Sequence, residues 1–202
     1  PQFQLPGNMV YIKVHKVGGS TFAGVLRRIC EHYCMTGCRT AFGAYDPAGL
    51  VKPFKAQLHA GHGELNQQMR HLVVNRFPNA FKLTMLREPL SRALSEFYHF
   101  QVTRAGVRPN ARRKLRALKS SIGYQYKYIG GSLFGGVNAT LDEYDFVGLS
   151  HRFDDSLVVL QLMLGLSTDD IIYIKAKVAD GSGARDDWGF KMVAHPPLAD
   201  ED

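Results

Sequence analysis

The stretch Met9 to Cys30, MVYIKVHKVGGSTFAGVLRRIC, decides the fold. Its first part, Met9 to Val14, is short, apolar and β-rich, which reads as a buried strand. From Thr21 to Cys30 the apolar residues Phe22, Val25, Leu26 and Ile29 recur at helical spacing. A turn therefore joins strand to helix. In it, Gly18 and Gly19 let backbone N–H groups approach a ligand, Ser20 and Thr21 can cap or donate, and the new helix presents its positive end. That is an anion site in outline. An ordinary strand-to-helix turn with a capping serine would account for the Gly-Gly-Ser-Thr string alone. Lys16 tilts the reading toward the anion, because a strand end is a poor place for an unused charge.

Residue order restricts the anion. A nucleoside-triphosphate loop needs G-x-x-x-x-G-K-[ST], with the lysine after the second glycine and a hydroxyl for magnesium. Here the lysine precedes the glycines, and the dinucleotide fingerprint G-x-G-x-x-G is also missing. The loop suits a phosphate-like group but matches neither nucleotide code.

Working outward, Ala56 to His59 reads as a short strand followed by a histidine-glycine cluster, and Glu64 to Phe77 as a helix ended by Pro78. Ala80 to Leu86 is a further buried strand, and Pro89 to Val102 a helix with Leu90, Ala93, Leu94, Phe97 and Tyr98 as its apolar stripe. Residues 122–136 are Gly- and Tyr-rich and read as a loop over the site. Tyr144 to Leu149 resembles a strand, Phe153 to Leu164 a helix with two aspartates in its first turn, and Ile171 to Ile174 a last strand. Residues 39–56 look like loop, and the tail from Ala176 onward is polar and mobile in expectation. Strands alternating with helices predict an α/β fold, a single domain over residues 1–202 with a central parallel sheet flanked by helices.

The 202 residues are enough for a substantial core, and 45% hydrophobic with 21% charged residues is ordinary for a globular chain, which excludes disorder. The net charge of +7 points to anionic partners: nucleotide, nucleic acid, acidic polysaccharide or membrane surface. The densest positive run is Arg104, Arg108, Arg112, Arg113, Lys114, Arg116 and Lys119, which on charge alone fits a solvated helix face. No apolar run approaches the length of a membrane span. Cys30, Cys34 and Cys38 match no familiar zinc or iron-sulfur spacing and read as small buried hydrophobes along a continued helix, where i and i+4 side chains suit a disulfide poorly. No metal is expected. Asn138-Ala139-Thr140 fits the N-glycosylation pattern.

A second anion-binding element follows the strand at 80–86. In TMLREPLSRALSEFYHF, Arg87 leaves the strand end, Pro89 starts a helix, and Ser95 lies two turns in. Arg87 and Ser95 meet on one phosphate only if the strand end lies over the first turns of the helix. Here the sequence becomes recognisable. KVHKVGGSTF resembles the 5′-phosphosulfate loop of sulfotransferases, and LREPLSRALSEFYHF resembles their 3′-phosphate motif. YDFVGLSHRFDDSLVVLQLML is similar to the following strand and helix of carbohydrate sulfotransferases of the heparan sulfate 2-O-sulfotransferase type.

The resemblance implies a P-loop-like sulfotransferase fold and 3′-phosphoadenosine 5′-phosphosulfate (PAPS) as donor, without a metal. It implies that Lys16, Val17, Gly18, Gly19, Ser20 and Thr21 hold the 5′-phosphosulfate and that Arg87 and Ser95 hold the 3′-phosphate. Moving SO3 to an alcohol builds charge on the departing oxygen, which a lysine and aligned N–H groups can stabilise. Lys16 is then also catalytic. The family carries a catalytic histidine in the region of LHAGHGEL, where a neutral imidazole suits a general base. His62 is the first choice, because it keeps the preceding glycine, and His59 the second. The late basic loop of the family has only a poor match around Arg185. The implied acceptor is a carbohydrate, and an acidic polysaccharide would suit the basic residues 104–119. For a eukaryotic secretory enzyme the implied compartment is the Golgi lumen, with any membrane anchor outside this chain; for any other source the compartment stays open. Two readings from other classes are a basic nucleic-acid-binding module and a nucleotide-dependent kinase. The first leaves Lys16, the glycine loop and Arg87 with Ser95 unexplained, so nucleic acid is not the expected partner; the second lacks the lysine-threonine order.

Overall fold

The computed structural model describes residues 5–35, 38–40 and 58–174. Five strands form one sheet: β1 (Met9–Ile12), β2 (Cys38–Thr40), β3 (Leu58–Gly61), β4 (Phe81–Leu86) and β5 (Phe146–Leu149). Their order across the sheet is β2-β3-β1-β4-β5, and every pairing is parallel. The expected α/β architecture with a parallel sheet is what forms.

β1 is central and buried along its whole length, as a parallel strand covered on both faces must be. It pairs with β3 on one side and β4 on the other, so chain connections leave it in opposite directions. A crevice opens at such a switch point, outside the carboxyl ends of the strands. The Lys16 loop leaves β1 into that crevice.

Helix α1 (Gly19–His32) covers one face of the sheet, and the residues that set its spacing, Phe22, Val25, Leu26 and Ile29, are all buried. Tyr11 of β1 meets Phe22 edge-on at 4.9 Å. Helix α2 (Gln67–Arg76) starts at Asn66, whose side chain accepts from the Met69 N–H, so it begins later than the apolar spacing suggested. Helix α3 (Pro89–Glu96) starts with a proline behind a Glu88 cap. Within its expected stripe Leu90 is exposed, whereas Ala93, Leu94, Phe97 and Tyr98 are buried.

The chain then widens into a π-helix (Phe97–Arg104), where ordinary helix was expected. Its Phe97 and Tyr98 form a separate buried cluster with Ala117 of α4 (Ala111–Ser120). Residues 122–136 are not a plain loop: they hold α5 (Tyr124–Tyr128) and α6 (Gly131–Phe134), each entered through a left-handed glycine, Gly123 and Gly130. The sequon falls in α7 (Val137–Leu141), with Thr140 buried and its hydroxyl donating to the Gly136 carbonyl at 2.6 Å. A 3₁₀ turn (Ser150–Arg152) leads into α8 (Phe153–Leu164), which has the predicted bounds.

Two further expectations fail. Ile171–Ile174 is not a strand, because Ser167 and Asp170 form a capping box that opens α9 (Thr168–Ile171). Cys30 and Cys34 do not continue along one helix, since α1 stops at His32 and Cys34 takes a left-handed φ of 54°. Cys30 is buried and disulfide-bonded, and Cys34 is a free, exposed thiol. The tail from residue 176, with Arg185, lies outside the described residues, as does most of 39–56.

Candidate anion and base site

The loop after β1 is built around two left-handed residues. Gly18 caps α1 with φ 77°, and Lys16 adopts φ 65°. For a residue with a Cβ that conformation is uncommon and costs about 1–2 kcal/mol. Such backbone settings concentrate at functional sites. Gly19 is needed for a different reason: a Cβ there would come within 3.0 Å of both the Lys13 Cγ and the Tyr11 hydroxyl. Lys13 itself is buried, and its N–H donates to the Gly61 carbonyl at 3.1 Å, which extends the β1–β3 ladder past the strand end.

Ser20 and Thr21 are not caps. They lie inside the first turn of α1, and the cap residue Gly18 has no side chain to offer. The first N–H groups of a helix have no carbonyl within the helix to bond, so this end is open to an external anion. Val17 is fully buried in the core, so only its backbone can face the loop.

Arg87 leaves β4 beside this loop. Its Nη1 donates to the Lys16 carbonyl at 3.3 Å, which sets the two sequence motifs against each other. Nε and Nη2 donate to the Ser91 hydroxyl at 2.9 and 2.6 Å. Burial pulls the Arg87 pKa down from its ordinary value; Glu88 opposes this and Arg92 adds to it. Gln125 of α5 fixes the backbone of Arg87 from both sides, accepting from its N–H at 2.9 Å and donating to its carbonyl at 2.8 Å. Glu88, the nearest carboxylate in sequence, accepts from the Leu90 and Ser91 N–H groups. Ser95, expected to pair with Arg87, is half-buried one turn further on. The serine that Arg87 itself contacts is Ser91.

The two histidines separate. His59 sits inside β3, in register with Val10, and packs against Phe77 with ring centroids 5.9 Å apart. His62 lies just past the carboxyl end of β3, and its Nδ1 is 2.8 Å from the Lys13 carbonyl. A carbonyl can only accept, so Nδ1 carries the proton and a neutral ring has its lone pair on Nε2. His15, which the sequence did not single out, stacks on His62 at 4.0 Å with the rings 1° from parallel. Among the described residues no group of three or more histidine, cysteine or acidic side chains is gathered as a metal site.

A parallel sheet with a cationic, glycine-turned loop at its switch point defines an α/β protein with a candidate site for an anionic group. The family model of the Sulfotransferase family matches residues 6–128, and the chain belongs to that family. It is an enzyme of sulfuryl transfer. The match ends at Tyr128, before β5 and α8. Among solved structures the chain is similar to a sulfotransferase from Alicyclobacillus acidocaldarius, at 16% identity and a TM-score of 0.47 over 85% of each chain. No curated protein gives a sequence match.

Proposed function

We propose that the chain transfers the sulfuryl group of PAPS to a hydroxyl of a carbohydrate, with His62 as the base. The observation that carries this reading is the contact of the Arg87 guanidinium with the Lys16 carbonyl, which joins two anion-binding elements separated by 71 residues. Lys16, the open end of α1, Arg87 and Ser91 form a donor set of cations, N–H groups and a hydroxyl. Such a set fits a nucleotide with phosphate-like groups at two ends. Bound PAPS supplies the sulfuryl group on a phosphosulfate linkage.

In this reading Lys16 and the first turn of α1 face the oxygen on which negative charge develops, while Arg87, with Ser91 and Ser95 on the adjoining helix, holds the 3′-phosphate. His62 Nε2 takes the proton of the acceptor hydroxyl as its oxygen bonds to sulfur and the bond to the departing phosphate oxygen breaks. Transfer of this kind rests on positioning and charge and needs no metal for proton removal.

The acceptor reading is supported by a cavity of about 300 Å³ between α3, the π-helix, α4 and α5. Rings of Phe100 and Tyr124 can lie against a sugar face, and Glu96, Gln101 and Ser121 can bond its hydroxyls. Phe100 also meets His15 edge-on, so the cavity adjoins the histidine pair. Exposed Arg112, Arg113, Arg116 and Lys119 on α4 suit anionic flanking groups of a polysaccharide. The Cys30 disulfide agrees with an oxidising compartment such as the Golgi lumen.

The test is transfer from radiolabelled PAPS to a panel of neutral and acidic glycans, by the unmodified chain, His62→Ala and His59→Ala. Label on glycan with the unmodified chain and His59→Ala, but not with His62→Ala, is the expected result. Label on no glycan at all would overturn the carbohydrate reading.

A further inference from the structure

We infer that His15 is a positioning residue for the base: braced by Phe100 and Tyr128, its ring holds the His62 imidazole in the one tautomer that offers Nε2 to the acceptor. This rests on the reading of His62 as the base. The stack of the two rings, 4.0 Å between centroids and 1° from parallel, opposes turning of the His62 ring out of its plane about the Cβ–Cγ bond. Rotation would break the bond from Nδ1 to the Lys13 carbonyl, which is what keeps the proton off Nε2.

His15 is itself held from two directions. The Phe100 ring of the π-helix meets it edge-on at 6.1 Å and 75°, and the Tyr128 ring of α5 at 5.7 Å and 84°. The backbone adds a third constraint, because the next residue, Lys16, has its left-handed φ and its carbonyl tied to Arg87. One turn thus sets both the cation of the anion site and the brace of the base.

The charge around His15 suits this task. Burial pulls its pKa down; Glu96 of α3 opposes, and Lys13 and Lys16 of the loop and Arg92 of α3 lower it further. Tyr128 is also pushed toward its neutral form by burial. A neutral ring beside His62 lets the proton arrive there, whereas a charged one would repel it. The proton moves from the acceptor hydroxyl to His62 Nε2, and His15 exchanges none.

Nitrogen NMR of histidine side chains in the isotopically labelled protein reads the tautomer of His62 directly, without donor or acceptor. The unmodified chain should show His62 as the Nδ1–H tautomer. His15→Ala should show a mixture, with unchanged affinity for adenosine 3′,5′-bisphosphate and kcat lower by about tenfold or more, part of the ~10²–10⁴ a general base supplies. His15→Phe, which keeps a ring to stack, should recover most of the lost kcat and the single tautomer. If His15→Ala is not folded, His15→Asn makes the same comparison with a polar side chain that cannot stack. An unchanged tautomer and kcat in the ring-less variant would overturn the inference, as would a His15→Phe as impaired as His15→Ala. Failure of the unmodified chain to bind adenosine 3′,5′-bisphosphate would instead strike the donor reading, which the tautomer comparison leaves apart.

Discussion

Arg87 directs every guanidinium nitrogen inward, two to Ser91 and one to the Lys16 carbonyl, so it is already fixed before any anion arrives. A preset charge of this kind makes a strong contact at little entropic cost. Arg87→Ala should weaken adenosine 3′,5′-bisphosphate by roughly 1.5–3 kcal/mol, the range for a hydrogen bond to a charged group, in calorimetric titration. An unchanged Kd would remove Arg87 from the site. For His62→Ala the expectation differs: normal binding of the same nucleotide with turnover lower by roughly 10²–10⁴-fold. Equal loss of binding would mean that His62 holds the donor instead. Lys16 and Arg87 were legible in the sequence because each is a charge placed just past the end of a predicted strand. The Arg87–Ser91 contact was not, since it depends on the path of the Arg87 side chain. His15 was not either, because its role depends on a ring brought from the end of another strand.

Among the elements, the loop that opens α1 is the most constrained. Gly18→Ala places a Cβ on a φ of 77° with no clash closer than 3.8 Å, so the penalty is one of backbone conformation alone. A loss of about 1 kcal/mol in denaturant unfolding is expected; a neutral result would mean that the loop relaxes out of its left-handed turn. The far end of α1 carries a different device. Burial pushes the Asp170 carboxyl up, but hydrogen bonds from His32, Ser167 and Tyr33 outweigh it and hold the pKa at about 2, against 3.8 ordinarily. A carboxyl depressed on folding adds stability above its ordinary pKa and loses it as pH falls toward the folded value. The contribution is on the order of 2 kcal/mol. Asp170→Asn should therefore lower Tm at neutral pH and flatten the fall in stability below about pH 4. An unaltered acid limb would count against it. The same carboxylate explains why Ile171–Ile174 misled: a β-branched run reads as strand, yet the Ser167–Asp170 box commits its first residue to a helical turn. Helices α1 and α8 were legible because their apolar stripes were long enough to define a period. The π-helix was not, as eight residues rich in aromatics carry no signature of a widened turn.

At the scale of the molecule, the alternation of strands and helices announced a parallel sheet, but not its order. That β1 lies at the centre, with β3 and β4 on its two sides, follows from pairings no local pattern encodes. The order matters for function, because it sets the ends of β1, β3 and β4 side by side. Lys16, His62 and Arg87 each follow one of those ends. On the proposed function, this shared edge binds a nucleotide through phosphate-like groups at two ends, in the order PAPS requires. Calorimetric titration of the full chain with adenosine 3′,5′-bisphosphate and, in parallel, with ATP, each with and without magnesium, tests it most directly. Micromolar-class binding of the bisphosphate, independent of magnesium, and much weaker binding of ATP are the expected result. Magnesium-dependent ATP binding with no response to adenosine 3′,5′-bisphosphate would contradict it.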